Sequence, residues 1–204
     1  MTKNFEEFSI FDNKGENMEG EIHGKDGKKR TVADETKESI ADKPIEKEGG
    51  YFVKRYLSQF QGLDHKSIAD KLIEKGWGES VARHISQFQG LDHKSIADKL
   101  IEKRLGGSVA ENLSQFQGLD HKSIADKIIE KRLGYYSVAK HLSQFQGLDQ
   151  SIADKLIEKG WGESVAENLS RFQGLDHKSI ADKLIEKGLG HFVTRHISQF
   201  QGLD

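Results

Sequence analysis

The stretch Asp64-His65-Lys66-Ser67-Ile68-Ala69-Asp70-Lys71-Leu72-Ile73-Glu74-Lys75-Gly76-Trp77-Gly78, completed by Ser86-Gln87-Phe88-Gln89-Gly90-Leu91-Asp92, decides the fold. Its closing heptad recurs: Ser-Gln-Phe-Gln-Gly-Leu-Asp begins at Ser58, Ser86, Ser114, Ser143 and Ser198, and at Ser170 with arginine in second place. The spacings are 28, 28, 29, 27 and 28 residues. A fixed period in this range marks a solenoid, whose units cannot bury their own apolar face and become stable only when stacked. The expected fold class is all-α: a right- or left-wound α-solenoid of stacked helical hairpins with a 28-residue repeat.

Each unit reads as two short helices. Asp64 suits an N-cap, and Ile68, Ala69, Leu72 and Ile73 return at helical spacing against Lys66, Asp70, Lys71 and Glu74. Where this helix ends, the copies differ. Position 76 is glycine in three units (Gly76, Gly160, Gly188) but arginine in two (Arg104, Arg132), whereas position 78 is always glycine: Gly78, Gly106, Gly134, Gly162 and Gly190. The left-handed residue that stops the helix is therefore expected at Gly78. Ser80 is expected to cap a second helix bearing Val81, Ile85 and Phe88, with capping boxes at Ser108–Glu111 and Ser164–Glu167. Gly90 closes it, with Leu91 placed to pack back on Ile85 as in a Schellman motif. Helices this short need tertiary packing to hold.

Residues 1–33 match no repeat, and their few apolar side chains cannot offset the entropy of ordering. A mobile leader is expected, with at most a weak hairpin over Phe8–Ile22 around Asn13-Lys14-Gly15. A degenerate first repeat spans 34–63, with Pro44 where later copies have leucine, a substitution that costs a helix interior about 3 kcal/mol or more. Regular repeats follow at 64–91, 92–119, 120–148, 149–175 and 176–204. The third gains a residue at Tyr135-Tyr136 and the fourth loses one, Gln150 replacing His-Lys, both where helices begin. The chain stops at Leu203-Asp204, residues that elsewhere open a unit. The final hairpin, with Ile180, Leu184, Ile197 and Phe200, is thus expected to expose part of its stacking face, leading to end-to-end self-association or implying a longer natural chain.

Composition bounds the function. There is no cysteine, hence no disulfide framework, thiolate metal site or thiol nucleophile. No apolar run approaches membrane-spanning length, and Met1–Phe8 is not a secretory signal, so a soluble cytoplasmic protein without a membrane partner is expected. Net charge is −2, and from Asp64 onward basic and acidic side chains are equal in number. Bulk attraction to nucleic acid is absent.

Among the nine histidines, His65, His93, His121 and His177 share one repeat position. Stacked helices lie about 8–10 Å apart, too far to share a metal whose ligand atoms sit about 2.0–2.1 Å away. A packing role is expected for them. Asp70 and Glu74, one turn apart on the polar face, read as solvated surface, and no phosphate loop, metalloprotease motif or nucleophile elbow is present. No catalytic residue, metal or cofactor is therefore expected, and the chain does not read as an enzyme.

The informative positions are those that vary. Position 83 runs Arg55, Arg83, Glu111, Lys140, Glu167, Arg195, and position 84 runs Tyr56, His84, Asn112, His141, Asn168, His196, basic with a ring and acidic with asparagine. One account is an inter-repeat ladder of ion pairs on the second helices; the other is a binding surface whose variable positions select a partner. The expected partner-binding residues are Glu79, Arg83, Gln87, Glu111, Gln115, Tyr135, Tyr136, Lys140, Gln144, Glu167, Arg171, His191 and Arg195. A protein or peptide is the leading partner and nucleic acid the alternative.

Counted from the leucine that opens a unit, Leu63, Ile68, Leu72 and Gly76 fall at positions 1, 6, 10 and 14. In this the first half of each unit resembles the two-helix repeat of transcription-activator-like effectors. The resemblance implies an α-solenoid that reads DNA through the loop between helices, with base-reading positions on Glu74-Lys75. Every regular copy carries the same Glu-Lys pair there, which cannot spell different bases.

Overall fold

The computed structural model describes residues 21–23, 29–31, 64–131 and 134–203. The chain divides into two units, Met1–Asp64 and His65–Asp204. In the first, strand β1 (Glu21–His23) pairs antiparallel with β2 (Lys29–Thr31), Glu21 opposite Thr31. The expectations for Asn13-Lys14-Gly15 and for the proline-bearing first repeat lie outside the described residues.

The second unit is an α-solenoid, five copies of one helical hairpin. The first helices are His65–Glu74, His93–Glu102, His121–Ile129, Gln150–Glu158 and His177–Glu186. The second helices are Gly78–Arg83, Gly106–Glu111, Gly134–Lys140, Gly162–Glu167 and Gly190–Arg195. Each second helix breaks at one residue, His84 in the first copy (φ −119°), and resumes as a 3-10 turn such as Ile85–Gln87. First helices pack on first helices from His93 onward, and second helices on second helices throughout. Between these layers run Ile68, Ala69, Leu72, Ile73, Val81, Ala82, Ile85 and Phe88 and their counterparts, nearly all buried.

The starts of the first helices agree with expectation. Asp92 accepts from Lys94 N, Asp120 from Lys122 N and Ser123 N, Asp149 from Ile152 N and Asp176 from Ser179 N. The helix ends correct it. The left-handed residue is Gly76 (φ +88°), not Gly78, with Gly160 (+87°), Gly188 (+75°) and even Arg104 (66°) in the same place. The hydrogen bonds complete a Schellman motif: Gly76 N donates to Ile73 O (3.1 Å) and Trp77 N to Leu72 O (2.8 Å). Arginine at 104 does not move the stop; it adopts the strained conformation. Gly78 is invariant for another reason. A Cβ there would overlap Leu105 Cδ1 and lie 2.9 Å from Leu100 Cδ2, both belonging to the next unit.

Two further expectations are corrected. Ser80 does not cap the second helix but sits inside it, and Ser108–Glu111 and Ser164–Glu167 likewise fall within single helices, so no capping box forms. Gly90 is left-handed (φ +68°), yet Phe88 before it is already extended, so the glycine turns the chain into the next unit rather than ending a helix. The added residue at Tyr135-Tyr136 lengthens the second helix of its unit to seven residues, and the lost one shortens Gln150–Glu158 to nine.

The repeated histidines close each unit on itself. His65 Nδ1 accepts from Gln89 N (2.7 Å), His93 from Gln117 N (2.8 Å), His121 from Gln146 N (3.0 Å) and His177 from Gln201 N (3.1 Å). Each ring also meets a phenylalanine edge-on, His65 on Phe88 at 6.1 Å between centroids. Where Gln150 replaces the histidine, its Oε1 accepts from Asp176 N (3.1 Å), and Leu148 forms a parallel bridge with Phe172.

Candidate functional site

Because second helices lie side by side, equivalent positions of consecutive units form rows. Glu79 and Arg83 of the first unit, Gly107, Ser108, Glu111 and Asn112 of the second, and Tyr136, Ser137, Lys140 and His141 of the third line one shallow concavity of about 210 Å³. Five expected residues (Glu79, Arg83, Glu111, Tyr136 and Lys140) thus come together from separate repeats. Gly107 opens the floor: where other units carry Glu79, Glu163 or His191, it has no side chain, and a Cβ would come within 3.3 Å of Ser137 Oγ.

The added residue of the third unit supplies the rim. Tyr136 is 48% exposed, meets Trp161 edge-on at 5.6 Å and lies beneath Lys140 Nζ at 5.8 Å. Tyr135 does not line the concavity; its ring lies under Lys159 Nζ at 5.4 Å. The glutamine row is also outside. Gln115 Oε1 accepts from Ser86 Oγ (3.3 Å), and Gln87 Nε2 lies 3.4 Å from His84 Nδ1. Gln144 and Arg171 end the 3-10 turns of the third and fourth units. Glu167, His191 and Arg195 continue the second-helix rows beyond the concavity, with Arg195 over Phe192 at 5.3 Å.

The charges are mixed and unneutralised. Among the described residues no ion pair within 4 Å joins Arg83, Glu111, Lys140, Glu167 and Arg195. The ladder expected on second helices runs instead along the first: Asp70–Lys99 (3.0 Å), Asp98–Lys127 (2.5 Å), Asp126–Lys155 (2.8 Å) and Asp154–Lys183 (2.7 Å). Exposed pairs contribute about 0–1 kcal/mol each, so the ladder adds little stability. Burial works to raise the Asp126 carboxyl and to lower Lys99; in each the opposing partners (Lys155 and Lys122, Asp70 and Glu74) outweigh it and favour the charged form.

His141 supplies the imidazole of the site. Burial holds its imidazole below the ordinary value, and Lys140 acts in the same direction against the opposing pull of Glu111. Its counterpart Asn112 turns inward instead, donating from Nδ2 to Ser108 O at 2.9 Å, as Asn168 does to Ser164 O. Gly107, Ser108, Asn112, Ser137 and His141 line the site without having been expected there. The alternation of histidine with asparagine at position 84, and the lone glycine at a variable position, were the signals in the sequence that pointed to them. Among the described residues no group of three or more histidine, aspartate and glutamate side chains could hold a metal ion. Nor is any described helix long and apolar enough to cross a membrane. No family model, curated protein or solved structure matches this chain.

Proposed function

We propose that the protein is a non-catalytic binding scaffold that recognises a protein or peptide through the second-helix concavity. One observation carries this reading: the residues that vary between otherwise copied units converge from three successive repeats on one cleft, beside a half-exposed tyrosine. Tyrosine and arginine anchors in a water-excluding setting dominate protein interfaces. Glu79 and Glu111 beside Arg83 and Lys140 suit a segment bearing both signs of charge.

The effector-like alternative draws less support. A DNA reader needs unpaired cations aimed at phosphates. Glu74, at the matching loop position, has its carboxylate engaged by Lys99 and Lys103, both at 3.3 Å.

The test is selection of a displayed random-peptide library on the full chain, followed by affinity measurement of the winning peptide. Tyr136→Ala and Lys140→Glu should each weaken it tenfold or more, and Lys94→Ala on the first-helix face should not. Equal binding by all three variants would refute the site. Preferential binding of duplex DNA, lost steeply with added salt, would favour the alternative.

A further inference from the structure

Four large apolar side chains stand exposed among the described residues: Trp77, Tyr136, Ile185 and Ile197. Ile185 and Ile197 belong to the last hairpin, where Ile180, Leu184 and Phe200 are buried rather than exposed as expected. Of the four, Tyr136 lines the second-helix concavity. What faces it there is set by one row of the solenoid, position 79, which reads Glu79, Gly107, Tyr136, Glu163 and His191 along the five units.

Gly107 turns that row into a notch. A carboxylate stands on one side and a phenol ring on the other, and the unit between them carries no side chain at this position. Neither wall is engaged across the notch. Among the described residues Glu79 makes no ion pair within 4 Å. Trp161, which braces Tyr136 edge-on at 5.6 Å, comes from the fourth unit, on the side away from Gly107. The ring already draws a cation, because Lys140 Nζ, one turn along the same helix, stands 5.8 Å from its centroid.

We propose that the notch is a pocket for an arginine side chain of the partner peptide. Its guanidinium pairs with Glu79, lies against Tyr136 and passes over Gly107. This rests on the reading of the concavity as a peptide site and names the anchor of that site. Arginine suits the two walls better than lysine does. Its planar fork can hold a carboxylate with two hydrogen bonds and lay a face on an aromatic ring, whereas an ammonium is a compact, strongly hydrated charge. The arginine displaces Lys140 from the ring. Lys140 and Arg83 then stand one helical turn further on, about 6 Å along the axis, two cations against the single carboxylate of Glu111. That end of the cleft takes an acidic residue of the same segment, so the order of charges in the occupant is fixed.

The probe is the peptide selected on the full chain, its place in the cleft established by weakened binding to Tyr136→Ala and Lys140→Glu. It should contain an arginine. Replacing that arginine with alanine should weaken binding tenfold or more, and replacing it with lysine at least threefold. Glu79→Gln should weaken the arginine peptide tenfold and leave the alanine peptide unchanged, since a double-mutant cycle isolates a direct contact. Gly107→Gln, which fills the notch, should act in the same way, and four units already carry long side chains at that position. Glu79→Gln keeps the test sound if Gly107→Gln misfolds. Selected peptides that lack arginine yet are weakened by Tyr136→Ala and Lys140→Glu would overturn the arginine pocket and leave the concavity as the binding site. So would losses from the arginine replacement and from Glu79→Gln that simply add. Binding indifferent to both Tyr136→Ala and Lys140→Glu would remove the reading beneath the pocket, and the pocket with it.

Discussion

Replacing Arg104 with glycine should make the protein more stable, although it removes a large side chain. Arg104 is the described non-glycine residue with positive φ, 66°, at the place where three other units use glycine. A left-handed residue with a Cβ costs about 1–2 kcal/mol. Glycine gives back about 0.4–1 kcal/mol through the greater freedom of the unfolded chain. The side chain is exposed and, among the described residues, makes no ion pair within 4 Å, so little else is lost. The net gain is about 0.5–1 kcal/mol, and at a urea slope of about 2 kcal/mol per molar the midpoint should rise by about 0.3–0.5 M. The reciprocal changes separate conformation from space. Gly160→Ala meets no atom within 4 Å and should lose about 0.5–1 kcal/mol by conformation alone. Gly162→Ala has ordinary φ but runs into Leu184 and Leu189, an overpacking that costs about 1–3 kcal/mol. Chemical denaturation followed by circular dichroism reads all three. A lower midpoint for Arg104→Gly, or a neutral Gly162→Ala, would refute the assignment of one glycine to backbone shape and the other to close approach.

Acidification should loosen the solenoid. His121 accepts a backbone hydrogen bond at Nδ1, and burial holds its imidazole below the ordinary value, so folding favours the neutral ring. Its contribution is complete above pH of about 6.5 and is lost as pH falls through that value towards the lower folded one. Thermal melts between pH 7.5 and 5 should show this, and His121→Gln should flatten the profile, since a glutamine amide does not titrate. His93→Ala leaves Gln117 N without its acceptor and Phe116 without its ring partner, and should cost about 1–3 kcal/mol by urea titration. Lys127→Glu sets two acids together at the Asp98 rung and should destabilise by about 0.5–1 kcal/mol at low salt. Adding Asp98→Lys should restore most of it, and 1 M salt should shrink both effects if the rung is electrostatic.

The repeat period and the apolar positions suffice by themselves to determine the solenoid. A 28-residue unit with Ile68, Leu72, Val81, Ile85 and Phe88 at helical spacing has no way to bury them except by stacking. The aspartate caps were legible too, because an N-cap is a contact between a side chain and the next few amides. Much of the second-helix cleft was also visible as variation at fixed places.

Only the tertiary structure decided why each glycine is there. Invariance at position 78 and variation at position 76 pointed to the wrong one. A sequence records that a side chain is forbidden but not whether backbone angle or a neighbouring atom forbids it. Leu100 and Leu105, which crowd Gly78, lie more than twenty residues away along the chain. The same holds for the charges. Asp70 and Glu74 look like ordinary solvated surface until Lys99 of the next unit comes to meet them, while Arg83 and Glu111, similar on paper, stay apart. Pairing across repeats depends on the offset between stacked helices, and that offset comes from contacts between units, such as those of Leu100 and Leu105 with Gly78, which no single unit contains.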